Sequence, residues 1–340
     1  MIRLVYSNYP LIFYCLTFLV VKPHYFCTGL SVPPSHEKTL SQPHDLLSNP
    51  SLNRRLFVAS VPFWAIIATT AGVSPSSAAT STSYSERLEQ DKLNLPAPSY
   101  ASELNGVDNT YFPPFLAGTW NVTQTLVSVK TPLGIQFAGG PNGDIQIAQS
   151  SIDQMITQQL DKPVQLQLRY IPTKWGVAED RLFNTRQRLD AFAGRAVVAS
   201  VEYANVGGSN RASVLAMGGQ DTDPLQTTMI RFKGPAAQKT FVVSHGSSST
   251  SSLSDSSVWS GYELQRSIFA LTNQNTAPPI TTDSELIWEF QPTTTSDTIV
   301  QGRLRIAEYL NAQNDKLYFE AGKRAVTLQD YTLVMTKVSE

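Results

Sequence analysis

Beyond residue 27 the chain holds no cysteine, and beyond residue 44 it holds one histidine, His245. The first absence excludes disulfides, thiolate nucleophiles and cysteine-ligated metals from most of the 340 residues. The second excludes ordinary zinc centres, which draw on several Cys or His ligands. No Gly-x-Ser-x-Gly elbow occurs, so that hydrolase signature is missing too. Basic excess is also absent: 26 Lys and Arg stand against 27 Asp and Glu, for a net charge of −1. Nothing here would draw the chain to nucleic acid or to an anionic membrane surface. The reading is therefore of a protein with no metal, no cofactor and no nucleic-acid partner.

What is present begins with two apolar runs. Leu11–Val21 lies between Arg3 and Lys22-Pro23. At about eleven residues it is too short for a bilayer core of ~30 Å and reads as the core of a signal peptide, residues 1–27. A Ser-, Pro- and His-rich stretch follows, with Glu37 and Asp45 as its acids. Over residues 28–53 it resembles a transit peptide. Arg54-Arg55 then opens an apolar run that closes on Ser77-Ala78-Ala79. Residues 54–79 look like a twin-arginine export leader, with Arg54 and Arg55 as the signal and Ala79 at the cleavage site. The alternative is a membrane anchor over Leu56–Val73, whose length of about eighteen residues would permit it. Pro62 and the Ser-Ala-Ala exit favour cleavage. In series, the three segments resemble the presequence of a thylakoid-lumen protein in an alga with a secondary plastid. That resemblance implies a plastid, lumenal destination and no transmembrane segment in the mature chain. Removing residues 1–79 leaves 21 basic against 25 acidic residues, a net of −4.

Residues 80–110 are polar, with Pro96 and Pro98, and read as a linker or an arm lying on the domain. From Tyr111 the pattern becomes short apolar/polar alternation, the period-2 mark of half-buried strands. Trp120, Val122 and Leu126 share one face of Thr119–Val129. Val164, Leu166, Leu168 and Tyr170 alternate with polar residues, as do Leu286, Trp288 and Phe290, and later Tyr331, Leu333 and Met335. Gly207–Asn210 reads as a hairpin turn into Ala212–Met217. About ten strands result, mostly joined by short turns. Such a series stacks as a sandwich or closes into a barrel, and closure removes exposed edges. Gln149–Leu160 and Arg181–Phe192 read as two short helices covering an open end. Gly139–Gly143 and the serine-rich Ser247–Ser257 read as loops. The fold class is mainly β: an antiparallel barrel over residues 111–340.

Gly118-Thr119-Trp120 begins the strand series. This Gly-x-Trp triplet resembles the first strand of lipocalin-like (calycin) barrels. Glycine permits the tight turn into the strand, and the tryptophan plugs the closed end under a cation from the last strand. Lys337 or Arg324 is the candidate cation. More widely, Pro113–Trp120, Thr125–Val129, Thr131–Gly134, Glu179–Asn184, Tyr318–Gly322 and Asp330–Leu333 resemble a domain family shared by cyanobacteria and plastids. The resemblance runs from about Tyr111 to Val338 and implies no activity and no catalytic residue.

Candidate sites follow from residue chemistry. Trp120, Tyr170, Tyr203, Trp288, Phe290 and Tyr331 form an aromatic set for an apolar ligand inside a barrel. Arg181 and Arg188 crowd one helix with Asp180, Arg186 and Asp190. Their planar donor forks suit a carboxylate or phosphate, against the plainer reading of a solvated helix face. His245 beside serines reads as a loop histidine rather than part of a triad. Asp221-Thr222-Asp223 reads as a solvated turn rather than a cation loop. The function expected is non-enzymatic binding of a small apolar molecule (a lipid, pigment or quinone) in the lumen. The alternatives are an assembly factor docking on a photosynthetic membrane complex, and a carotenoid- or lipid-modifying enzyme.

Overall fold

A computed structural model of the chain describes residues 84–96, 110–173, 176–204, 227–251, 257–273, 278–293 and 296–339. Arg54, Arg55, Ala79, the Gly207–Met217 hairpin and Asp221–Asp223 lie outside the described residues. Among the described residues no helix is long and apolar enough to cross a membrane.

One antiparallel sheet of eleven strands dominates. Its strands are β1 (Tyr111–Phe112), β2 (Gly118–Lys130), β3 (Pro163–Thr173), β4 (Gly176–Glu179) and β5 (Val198–Tyr203). They continue as β6 (Thr227–Phe232), β7 (Ala236–Ser251), β8 (Ser257–Leu271), β9 (Ile280–Thr293), β10 (Ser296–Tyr309) and β11 (Thr327–Lys337). The spatial order is β1-β4-β3-β2-β11-β10-β9-β8-β7-β6-β5. The last long strand thus pairs with the first, Met335 opposite Val122 and Lys337 opposite Trp120. The sheet curls strongly, so that Phe112 of β1 packs against Trp259 of β8 with ring centroids 5.0 Å apart.

The expected closed barrel is corrected here to an open, curled half-barrel. Among the described residues no ladder joins β1 to β5. Two of the strands, β1 with two residues and β4 with four, are too short to show an alternating pattern. Helix α3 (Arg181–Phe192) instead lies against β3, where β3 runs past the end of β4, and against the edge strand β5. Asn184 stands in for a neighbouring strand: its Oδ1 accepts from Arg169 N at 2.7 Å and its Nδ2 donates to Arg169 O at 3.1 Å. On the other side Arg186 donates to Ala199 O at 3.1 Å. The Asp190 carboxylate accepts from Val197 N and Val198 N at 2.7 and 2.9 Å. Backbone groups that strand pairing would satisfy find side chains of one helix instead.

Helix α2 (Ile145–Gln159) starts where Asp144 accepts from Gln146 N and Ile147 N, the usual N-cap bond. Its inward stripe is Ala148, Ser151, Met155 and Gln159. Of the four residues that helical spacing over Gln149–Leu160 puts on one face, Ile152, Met155, Ile156 and Gln159, the helix buries Met155 and Gln159 and leaves Ile156 43% exposed. The serine-rich segment is also corrected: Ser247 to Ser251 continue β7, paired with Ser257 to Gly261 of β8. Polar composition does not prevent a ladder when a partner strand supplies backbone bonds, and Ser248 and Ser260 hydroxyls meet at 3.1 Å. Gly140–Asn142 forms a 3-10 turn within the expected loop. His245 lies within β7, opposite Glu263, rather than in a loop.

Two cores sit on the two faces of the sheet. The inner one gathers Trp120, Val122, Leu168, Tyr170, Trp288 and Phe290 among others. The outer one packs Leu88 and Leu93 against Ile287, Ala307 and Leu328. The segment around helix α1 (Tyr84–Arg87) is therefore an arm against the outer face. Ions fix it there: Arg87 pairs with Glu285 at 2.7 Å, and Arg305, which pairs with Asp330 at 2.6 Å, also donates to the carbonyls of Arg87 and Gln90.

Candidate functional site

The inner face divides into an aromatic end and a polar end. Alternation along β8 sends Trp259, Glu263, Gln265 and Ser267 to the same face, opposite Phe290, Leu286, Ser284 and Thr282 of β9. At the aromatic end Phe112 lies 5.0 Å from Tyr170, 6.0 Å from Trp288 and 6.4 Å from Phe290, centroid to centroid. Trp259 stacks on Phe290 at 5.9 Å. Trp120 is fully buried, its Nε1 donates to Leu116 O at 2.7 Å, and Lys337 Nζ lies 5.7 Å from its ring centroid. Gly118 takes φ +117°, a backbone conformation that favours glycine, and a Cβ there would press on Lys337 Cε at 3.1 Å.

Five of the six aromatic candidates, Trp120, Tyr170, Trp288, Phe290 and Tyr331, belong to this one buried cluster. Tyr203, half-buried on β5, does not. Phe112 and Trp259 complete the cluster and were not singled out from the sequence. Strand parity would have found Trp259, but Phe112 sits in a strand of two residues.

At the polar end α3 turns an unusual face inward: Arg181, Asn184 and Leu189 are its buried residues. Arg181 Nη1 and Nη2 donate to both oxygens of Glu263, at 2.9 and 2.5 Å. Arg188 Nη1 donates to Glu179 Oε1 at 2.5 Å, and Asn184 Nδ2 donates to the same oxygen at 3.0 Å. Gln265 Nε2 donates to Glu263 Oε2 at 3.0 Å. Two arginines and two glutamates thus balance in charge. The anion held by Arg181 comes from the chain itself, not from the neighbouring Asp180, which caps the helix. Burial alone would raise the Glu263 carboxyl, but the Arg181 charge and hydrogen bonds outweigh it and hold the group at about 2. Burial beside Glu179 keeps the Tyr170 hydroxyl above the ordinary tyrosine range.

Next to this network is a cavity of about 60 Å³. Arg188, Thr185, Thr228, Thr240 and Gln238 give it polar walls, and Leu189, Ile230, Val242 and Leu286 give it apolar ones. None of the six aromatic candidates lines it. Among the described residues no group of three or more His, Asp or Glu side chains is arranged to hold a metal ion.

Fold and site together define an open, curled antiparallel half-barrel with a charge-balanced interior. Residues 105–339 match the model of a domain of unknown function, DUF6816, and the chain belongs to that family. No curated protein and no solved structure matches the chain.

Proposed function

We propose that the protein is a non-enzymatic binding protein of the thylakoid lumen that holds a small molecule on the inner face of its curled sheet. The observation that carries this is the cavity beside α3, whose walls are apolar on one side and polar on the other. Mixed walls of this kind are usual for small-molecule sites, where apolar surface holds the ligand and a few polar groups orient it. Leu286 lines the cavity and belongs to the aromatic core as well, so the cavity adjoins the aromatic end. A volume of about 60 Å³ admits a head group or a short chain, and a longer lipid, pigment or quinone tail would leave through the mouth. The lumenal address rests on Arg54-Arg55 and the Ser-Ala-Ala exit.

The test is to incubate the full-length chain with a thylakoid lipid extract, repurify it, and record native mass and absorbance. A retained species that is lost in Leu189→Trp, which fills the cavity, supports the reading. No retained species refutes it. For the address, residues 1–83 fused to a fluorescent protein should deliver it to the lumen, and cytosolic or secretory signal would refute that part.

A second reading, docking on a photosynthetic membrane complex, is favoured by Phe319 of α4 (Tyr318–Ala321), which is 88% exposed, and by Ile145, 58% exposed. Co-purification of such a complex, lost in Phe319→Ser, would support it over the first.

A further inference from the structure

A second cavity, of about 50 Å³, lies at the polar end of the sheet beneath the 135–143 and 310–326 segments. Among the described residues its lining carries three carboxylates, Asp283, Glu308 and Asp315, and no lysine, arginine or histidine. Arg266, from outside the lining, pairs with Asp283 at 2.7 and 2.9 Å. Glu308 accepts from Thr327 Oγ1 at 2.8 Å, and Asp315 accepts from the backbone of Asn311 at 2.5 Å. Neither of these two partners is a cation.

Gln238 supplies an independent observation. The residue is 2% exposed and lines the cavity. Its Nε2 donates to Thr240 Oγ1 and to Ser267 Oγ, both at 3.1 Å, while its Oε1 is buried and accepts from no group among the described residues. A buried acceptor without a donor costs free energy that a bound donor would recover. Phe137, Leu310 and Val326 add an apolar patch to the wall, beside polar Ser267, Thr282, Ser284 and Asn314.

We infer that this cavity is a binding site for a primary alkylammonium group. Such a group has three N–H donors and one positive charge, which answer the Gln238 oxygen and the carboxylates of Glu308 and Asp315. Its alkyl stem answers Phe137, Leu310 and Val326. A bare metal ion fits less well: among the described residues the acids do not converge as a ligand set. An anion would face the carboxylates, and a neutral alcohol would leave their charge unanswered. Burial raises the carboxyls of both Glu308 and Asp315, as expected for acids placed out of water with no cation beside them. At about 10–15 Å³ of this space per water, the cavity holds about four waters or a short alkyl amine. Gln238 lines this cavity and the one beside α3, but Glu308 and Asp315 line this one alone and Leu189 the other, so Glu308→Gln and Leu189→Trp test the two apart.

The experiment is calorimetric titration of the full-length chain with n-butylamine hydrochloride at about pH 8, where the amine is protonated. Butanol and butyrate serve as matched controls. The expected result is saturable binding of the amine, with both controls weaker by about tenfold or more. Glu308→Gln should weaken amine binding by about tenfold, and Gln238→Leu by about fivefold. Glu308→Gln keeps shape and hydrogen bonding, so it tests the charge even if Gln238→Leu fails to fold. A lysine-containing peptide in a parallel titration separates a partner's side chain from a free amine as the source. No binding of either the amine or the peptide, equal binding of butanol, or unchanged affinity in Glu308→Gln would each overturn the inference.

Discussion

Arg181 and Glu263, separated by 82 residues in the chain, meet in the interior as a bidentate pair at 2.9 and 2.5 Å. Their side chains are 7% and 0% exposed. Breaking such a pair leaves a charge stranded in a medium that solvates it poorly, which costs about 3–5 kcal/mol. Arg181→Met should therefore lower unfolding stability by that amount in urea denaturation. Arg181→Met with Glu263→Leu removes both charges and should recover more than half of the loss. A double variant no better than the single one would show that the pair is not coupled.

Acidification should act in two opposing ways. Glu263 is held at about 2, against an ordinary 4.5, because the Arg181 charge overcomes burial. A carboxyl lowered on folding gives stability that is complete above the unfolded value and is lost as pH falls through the folded one. The amount is on the order of 3 kcal/mol. Burial raises Glu285, Glu308 and Asp315 instead. Their contribution is complete below the unfolded values and is lost as pH rises through the raised ones. Urea midpoints should accordingly be as high at about pH 5 as at about pH 7, and should fall steeply by about pH 3. A midpoint that declines steadily from neutral pH downward would contradict the raised acids.

Trp120 should divide its effect between packing and one hydrogen bond. It is fully buried and donates to Leu116 O at 2.7 Å. Trp120→Ala should cost about 3–5 kcal/mol through the cavity it leaves. Trp120→Phe keeps much of the volume but orphans the Leu116 carbonyl, at a cost of about 1–3 kcal/mol. Lys337, with Nζ 5.7 Å from the ring, should matter less: Lys337→Met is expected to cost about 1 kcal/mol or less. Thermal or urea unfolding of the three variants gives the order directly.

Most of the sheet was legible because alternation is local. Val164, Leu166, Leu168 and Tyr170 announce β3 without reference to anything else in the chain. The Gly118-Thr119-Trp120 start was legible as well, and the resemblance it carries left two candidates for the cation, Lys337 and Arg324, of which the pairing of β11 with β2 brings Lys337 to the ring. The openness of the sheet was not. Alternation says that a segment is a strand, but not whether it finds a neighbour on each side. Nor could the inward face of α3 be read: its buried residues include Arg181 and Asn184, which are apolar-face violations until Glu263 and Arg169 are brought beside them. The polar cavities were hidden for the same reason. Gln238, Gln265 and Ser267 look like wet-face residues in sequence, and only the curl turns that face inward.

Asn184 tests how the open seam is held. It is 0% exposed and serves three partners: it accepts from Arg169 N, donates to Arg169 O, and donates to Glu179 Oε1. If α3 substitutes for a missing strand pair, Asn184→Leu should cost about 1–3 kcal/mol, because it takes the acceptor from the Arg169 N–H and one of two donors each from Arg169 O and Glu179, which keep Asp180 N and Arg188. Asn184→Asp is nearly the same shape but should be worse at neutral pH. It keeps the acceptor, loses both donated bonds, and sets a second carboxylate against Glu179. Protonating the new carboxyl restores a donor and removes the repulsion, so the Asp variant should regain stability relative to Leu as pH falls. Hydrogen exchange at the Arg169 amide would localise the effect, with protection lost in Asn184→Leu and kept in Asn184→Asp. Equal stability of all three proteins would mean that the seam is held by the packing of Leu189 against Val197, Val198 and Ile230 rather than by the surrogate strand bonds.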